Sequence, residues 1–394
     1  MIYPKVYLKS GKEQSLQRFH PWIFSGAIKR IDGEPAEGDV VEVVSAKGDF
    51  LAIGHYQPGS ITVRVISFVN VDINREFWLA KLRNALIVRK LHGLFPNPNT
   101  NIFRLVHGEG DGLPGLIVDI YGFTAVMQAH SSGMALLRST LAELIVEVME
   151  GAVTSVYDKS SGTLSPKSPV EAIDGYLVGG AKGDALYENG NRFLVSWEEG
   201  QKTGFFVDQR DNRALVGHYS KDAKVLNAFC YTGGFSVYAA RGGASSVVSV
   251  DSSQKAMDLT TQNMVANFGQ NPSHVSVCAD VFDFLRDSED VYDVIILDPP
   301  AFAKHRGSLN NALQAYKRLN ASALRKLKPG GILFTFSCSQ VVTRENFRNA
   351  VFSGSIIANR NVRIMHQLAQ PADHPINIYH PEGEYLKGLV LYAE

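Results

Sequence analysis

Lys224-Val225-Leu226-Asn227-Ala228-Phe229-Cys230-Tyr231-Thr232-Gly233-Gly234-Phe235 is the stretch that decides the fold. Lys224–Ala228 reads as a strand, and a helical pattern begins at Phe235 and runs to Arg241. Between them lies a glycine turn, which lets a ligand approach the backbone closely. Working outward, further strand signals follow at Val247–Val250, Val275–Cys278, Val291–Leu297 and Ile332–Phe336. Helical spacing separates them at Gln254–Phe268, Val281–Asp287 and Asn311–Leu327. Strands alternating with helices predict βαβ units and a mainly parallel, doubly wound, Rossmann-like sheet.

The carboxyl ends of these strands carry acids. Asp251 follows the second strand, 18 residues beyond Gly233, Asp280 follows the third and Asp298 the fourth. A single such acid is readily explained as the cap of the next helix. Acids after three successive strands, beside a glycine turn, point instead to a nucleoside ligand. An acid after the second strand suits both ribose hydroxyls, and one after the third suits an adenine amine. The turn is not GxGxxG, which disfavours a dinucleotide and a nicotinamide oxidoreductase, and no Walker lysine accompanies it. S-adenosylmethionine fits these residues.

Two short motifs supply reactive groups on the same edge. Asp298-Pro299-Pro300 ends one apolar run and Ser337-Cys338-Ser339 ends the next. Ligands of open α/β sheets bind at that edge, and neighbouring strands lie roughly 5 Å apart. An acid and a thiol so placed can grip a small planar substrate from two sides. A lone cysteine is most often a small buried hydrophobe; its place at a strand end between two serines favours Cys338 as the reactive one. Cys230, in the glycine turn, and Cys278, inside a strand, read as structural.

Toward the N-terminus the pattern changes. Residues 71–188 mix strand signals with helices at 74–92 and 133–149, an α+β unit. In it His107–Gly115 forms a glycine-rich turn that reads as structural. Residues 1–70 alternate short β-rich runs with turns, a small all-β unit. Arg18-Phe19-His20-Pro21-Trp22-Ile23-Phe24 interrupts it with a basic, aromatic cluster. The predicted domains are therefore 1–70, 71–188 and 189–394.

Composition sets the bounds. The chain has 394 residues, 45% of them hydrophobic and 20% charged, which suits a globular protein of several domains. No apolar run approaches the roughly 20 residues of a membrane span, and the first residues lack a signal-peptide core. Three cysteines without metal-ligand spacing suggest neither a metal site nor disulfides, hence a reducing cytoplasm. Net charge is zero, so nucleic acid must be held by local patches. Residues 1–30 form one, with Lys5, Lys9, Lys12, Arg18, Lys29 and Arg30 against Glu13 alone. A solvated surface explains the charges of such a patch equally well.

Four stretches resemble the bacterial large-subunit ribosomal RNA methyltransferase I family, within the class I methyltransferases. They are Gly200–Arg210; Tyr231–Tyr238; Asp298–Phe302 with Ser337–Ser339; and Ala372–Pro375 with Pro381–Gly388. Arg18–Phe24 is similar to the start of that family's PUA domain, an RNA-binding β-barrel. The resemblance spans the chain. It implies a PUA domain, a central α+β linker domain and a catalytic domain, acting on large-subunit ribosomal RNA and leaving a homodimer open. It implies that residues 201–210 close over S-adenosylmethionine, with Thr203, Phe206 and Arg210 as contacts, joined by Asn227, Phe229, Gly233, Asp251, Asp280 and Asp298. Arg18, His20, Trp22, Lys29 and Arg30 are the implied RNA contacts. His374, Glu382 and Lys387 match the family pattern without an assignable role.

The family makes 5-methylcytosine, and the residues suit that chemistry. Carbon-5 of cytosine is a poor nucleophile until a thiolate adds at carbon-6. Cys338 is the expected nucleophile and Asp298 the acid on the N3 edge. Methylation of a base amine is the enzymatic alternative, because Asp-Pro-Pro also occurs in such enzymes. There, however, an aromatic residue follows directly, whereas Ala301 precedes Phe302 here, and an amine needs no thiol. A non-catalytic RNA-binding protein is the alternative of another class; it predicts loss of the thiol or the strand-end acids, all of which are present.

Overall fold

The computed structural model describes residues 3–166, 168–181, 183–270 and 273–394. Its contacts divide the chain into two units. The first comprises Met1–Asn189, Val195–Val207 and Ala372–Gly383; the second comprises Gly190–Leu194, Asp208–Pro371 and Glu384–Glu394.

The second unit is built on a seven-stranded sheet. Its strands are β1 (Lys224–Ala228), β2 (Ser246–Asp251), β3 (His274–Cys278), β4 (Tyr292–Leu297), β5 (Leu327–Ser337), β6 (Val362–Leu368) and β7 (Lys387–Ala393). They lie in the order β3-β2-β1-β4-β5-β7-β6. The pairs among β1–β5 are parallel. β7 enters antiparallel between β5 and β6. The doubly wound reading thus holds, with two strands and their connection added that the sequence reading did not name.

The inner strands of this sheet are buried on both faces, as a covered parallel sheet requires. Leu226, Ala228, Ile295 and Leu297 pack into one core with Tyr316, Leu319 and Phe347. Val225, Val247, Val294, Ile296, Phe334 and Phe336 pack into another with Val216, Phe235 and Ala239. The crossing helices are α1 (Arg210–Tyr219), α2 (Gly234–Arg241), α3 (Gln254–Phe268), α4 (Val281–Asp287), α5 (Leu309–Lys326) and α6 (Arg344–Ala358). Their starts follow capping rules: the side chains of Ser253, Asp280 and Thr343 accept first-turn amides of α3, α4 and α6.

The first unit holds two larger sheets. One has six strands, in the order Trp22–Phe24, Ile61–Ser67, Phe50–Tyr56, Val40–Val44, Lys5–Leu8 and Ile28–Asp32. The other has five, in the order Gly175–Val178, Ser155–Asp158, Thr124–Ala129, Leu116–Tyr121 and Ile102–His107. The helix expected over 133–149 is broken at Leu137 into Ser132–Leu136 and Arg138–Val148.

Residues 195–207 and 372–383 were expected in the domain of residues 189–394, yet contacts group them with the first unit. The reason is polar. Arg89 is fully buried, paired to Asp111 at 2.5 and 2.7 Å, and also donates to the Asp373 carbonyl at 2.8 Å. The Arg104 amide donates to Asp373 Oδ2 at 3.0 Å, while its guanidinium grips Asp119 at 2.7 and 2.8 Å. Thr203 Oγ1 donates to that same Asp119 at 2.6 Å. Buried charges are retained only with such partners, so both excursions of chain are tied in by hydrogen bonds that hydrophobic periodicity does not register.

Candidate active site

β1 ends in a strained loop. Phe229 has φ 59°, Tyr231 φ 48° and Gly233 φ 78°, all left-handed. Non-glycine residues in that region cost free energy and concentrate at functional sites. Gly233 has no alternative, because a Cβ there would lie 2.7 Å from Thr260 Cγ2. Asp251, at the end of β2, is held against this loop: its Oδ2 accepts the Tyr231 amide at 3.0 Å and its Oδ1 the Ser253 amide at 3.0 Å. Asn227 is fully buried; its Nδ2 donates to Ser236 Oγ at 2.8 Å, while its Oδ1 has no hydrogen-bond partner among the described residues. The loop therefore presents a glycine cradle, an anchored carboxylate and an unsatisfied buried acceptor, which together suit a nucleoside bearing hydroxyl and amine donors.

Asp280 lies at the carboxyl end of the same sheet, where its Oδ1 caps α4 through the amides of Phe282 at 2.8 Å and Asp283 at 3.1 Å. The cap occupies that oxygen and leaves Oδ2 for a ligand. Arg210 opens α1 and is buried. Thr203 and Phe206 lie in the first unit. There Thr203 is buried on Asp119 and Tyr121, and Phe206 is half-buried beneath Lys202 Nζ, 4.7 Å from its ring centroid.

The acid and the thiol lie at the ends of neighbouring strands. In the parallel β4–β5 pair Leu297 lies opposite Thr335, so Asp298 and Cys338 follow on adjacent strands, with Cys338 two residues further along. The Asp298 amide donates to the Ala228 carbonyl at 3.4 Å, which sets the motif beside the end of β1. Both groups are half-buried, hence reachable. The loop after Asp298 is fastened to the thiol's strand, since the Ala303 amide donates to Ser339 Oγ at 3.3 Å. Phe302 packs on Tyr316 at 4.8 Å between ring centroids.

The other thiols differ. Cys230 is buried, and burial pushes its pKa up to about 12, so it is inert as a nucleophile. Cys278, read as structural, is instead exposed. β3 is an outer strand of the sheet, and its side chains remain half-buried or exposed.

Lys387 is one of three residues, with His374 and Glu382, that the sequence left without a role. It opens β7 opposite Ser337, is buried, and donates from Nζ to the Ser339 carbonyl at 2.7 Å. A lysine heading an apolar strand, Lys387-Gly388-Leu389-Val390-Leu391, was the available signal.

In the first unit, the expected RNA contacts separate into two groups. Arg18 and Lys29 are exposed; Arg30 is exposed but paired to Asp32 and stacked on Tyr7. His20 and Trp22 are half-buried and held within the unit, His20 near Glu382 at 3.5 Å and Trp22 Nε1 on Glu109 Oε1 at 2.8 Å. Phe19 and Phe24, in the same cluster, are the exposed aromatics, and Tyr379 joins Phe19 at 5.2 Å. His374 is buried beside Asp373 at 3.1 Å, so its place is in the polar core described above.

Comparison with known proteins fits this arrangement. Residues 6–68 match the PUA-like domain family and residues 120–351 the S-adenosylmethionine-dependent methyltransferases. A ribosomal RNA large subunit methyltransferase I from Shewanella amazonensis is 40% identical over 98% of both chains. The protein of the same name from Tolumonas auensis is 40% identical over 98% of this chain and 99% of its own. The chain belongs to the ribosomal RNA large subunit methyltransferase I family. A crystallised candidate methyltransferase from Streptococcus mutans shares the fold over 100% of both chains, with a TM-score of 0.83 at 24% identity. Family membership makes S-adenosylmethionine the cofactor, and Asn227, Gly233 and Asp251 are the residues here whose geometry suits it. Among the described residues no helix is long and apolar enough to cross a membrane.

Proposed function

We propose that this enzyme methylates carbon-5 of a cytosine in large-subunit ribosomal RNA, in the cytoplasm, through a covalent adduct on Cys338. The observation that carries the reading is the juxtaposition of Cys338 and Asp298 on adjacent strands beside the nucleoside loop. S-adenosylmethionine, when bound, supplies an electrophilic methyl group. The thiolate of Cys338 adds to carbon-6 of the base, and N3 takes up a proton from Asp298 as the ring loses its aromatic character. Carbon-5, now an enamine carbon, gains the methyl. Loss of the carbon-5 proton then breaks the carbon–sulfur bond and returns the electron pair to sulfur, and release of the added N3 proton to water restores the neutral ring. Asp298, having given up its proton, is the base at hand for the carbon-5 proton, directly or through water. Exposed Arg18 and Lys29, with Phe19 and Phe24, give the PUA-like domain charges for phosphates and faces for bases.

RNA carrying 5-fluorocytidine at the target tests the reading. Fluorine cannot leave as a proton, so the methylated adduct persists and mass spectrometry finds RNA linked to the peptide containing Cys338. Turnover without any adduct, or a product methylated on an exocyclic amine, sinks it.

A further inference from the structure

Resting on the covalent reading of Cys338, we propose that Lys387 is a positioning residue of this site, the built-in counter-ion of the Cys338 thiolate. A lysine ammonium has three donors and is rarely buried without an anion. Lys387 is buried at 3% exposure. Its one hydrogen-bond partner is a neutral carbonyl, that of Ser339 at 2.7 Å, and no carboxylate pairs with it among the described residues. A structural lysine would be expected to have an acid, as Arg89 has Asp111. The register shows what takes the acid's place. Lys387 lies opposite Ser337 and its Nζ reaches the carbonyl of Ser339, so the side chain spans the one residue between them, Cys338.

Two consequences follow for the chemistry. Burial pulls the Lys387 ammonium down to about 8, and the neighbouring Cys338 charge acts in the opposite sense, toward keeping the proton on nitrogen. The thiol proton departs to solvent, and the resulting thiolate is stabilised by the ammonium it faces. The same ion pair improves sulfur as a leaving group when the carbon–sulfur bond breaks at the end of the cycle. The other charged or titratable groups acting here are Arg344 at the start of α6, Glu384 ahead of β7 and Tyr316 in α5. Arg344 and Glu384 form a salt bridge with each other. Burial raises the Tyr316 hydroxyl, which keeps it neutral.

The experiment is the pH dependence of iodoacetamide alkylation at Cys338, read by peptide mass spectrometry on the full-length enzyme in a Cys278→Ser background. The expected wild-type midpoint lies below the ordinary thiol value of about 8.5. Lys387→Met should raise it by about one unit and slow alkylation at pH 7 about tenfold, while Lys387→Arg keeps it low. S-adenosylmethionine affinity reports whether each variant is folded. A folded Lys387→Met protein with the wild-type midpoint overturns the proposal, and so does a wild-type midpoint at or above about 8.5, which needs no variant. Alkylation involves no RNA, so this outcome is independent of the fluorocytidine trap: absent adduct with a low, Lys387-dependent midpoint would defeat the covalent reading alone.

Discussion

Arg89 in the first unit and Lys387 in the second are both buried basic side chains, and they are paired in opposite ways. In the first, Arg89 is enclosed by Asp111 and by three carbonyls, of Ala85, Arg104 and Asp373. In the second, Lys387 meets a single carbonyl at the end of a strand that carries a thiol. A guanidinium with its fork filled is fixed in place and does nothing further. An ammonium with one partner retains field to act on its neighbour. Completeness of pairing, rather than burial, separates architecture from chemistry in this protein.

That comparison is broken most directly at the thiol. Cys338→Ala should lower methylation of ribosomal RNA by at least about 1,000-fold, since the covalent route has no substitute nucleophile. Its S-adenosylmethionine affinity, measured by calorimetry, should match wild type, because the residues that suit the nucleoside lie on β1 and β2. Retained turnover would return Cys338 to the class of inert cysteines such as Cys230.

The next largest effect is expected in the first unit. Arg89→Met leaves Asp111 buried and unpaired, which costs about 3–5 kcal/mol. Urea unfolding followed by tryptophan fluorescence should show the loss, because Trp22 and Trp78 belong to this unit. A cost under about 1 kcal/mol would mean that the pair behaves as a surface ion pair and that its enclosure has been misjudged.

What could be read beforehand follows the same division. The doubly wound sheet was legible because β1–β5 each hold a short stretch rich in apolar and β-branched residues and alternate with helical spacing, which periodicity registers directly. Asp298 and Cys338 were legible because strand ends are fixed once strands are. β7 and β6 were not named: their place beside β5 depends on an antiparallel return that no local pattern specifies. Lys387 could not acquire a role until that return set it opposite Ser337. Likewise, residues 203 and 373 join the first unit through Asp119, Arg89 and Arg104, partners more than 80 residues away. The exposure of Cys278 was not legible because nothing in its own run reveals that β3 is an edge strand.

The smallest expected effect sharpens the comparison most. Lys387→Met removes a buried charge that no carboxylate pairs with, and with it a desolvation cost that a thioether side chain of similar length does not carry. Against this stands the lost hydrogen bond to the Ser339 carbonyl, worth about 1 kcal/mol. The two terms oppose each other, so the unfolding free energy of the second unit should change by no more than about 1 kcal/mol, while Arg89→Met costs several times that in the first. The depressed Lys387 value also fixes the sign of the pH dependence. The unfolded chain binds a proton up to about 10.4, whereas the folded one releases it near 8. Wild-type stability should therefore rise relative to Lys387→Met as pH climbs from 8 toward 10. Urea midpoints of both proteins at pH 7 and pH 9.5 measure this. A Lys387→Met protein destabilised as severely as Arg89→Met, with no such divergence at high pH, would make Lys387 a structural strut and erase its distinction from Arg89.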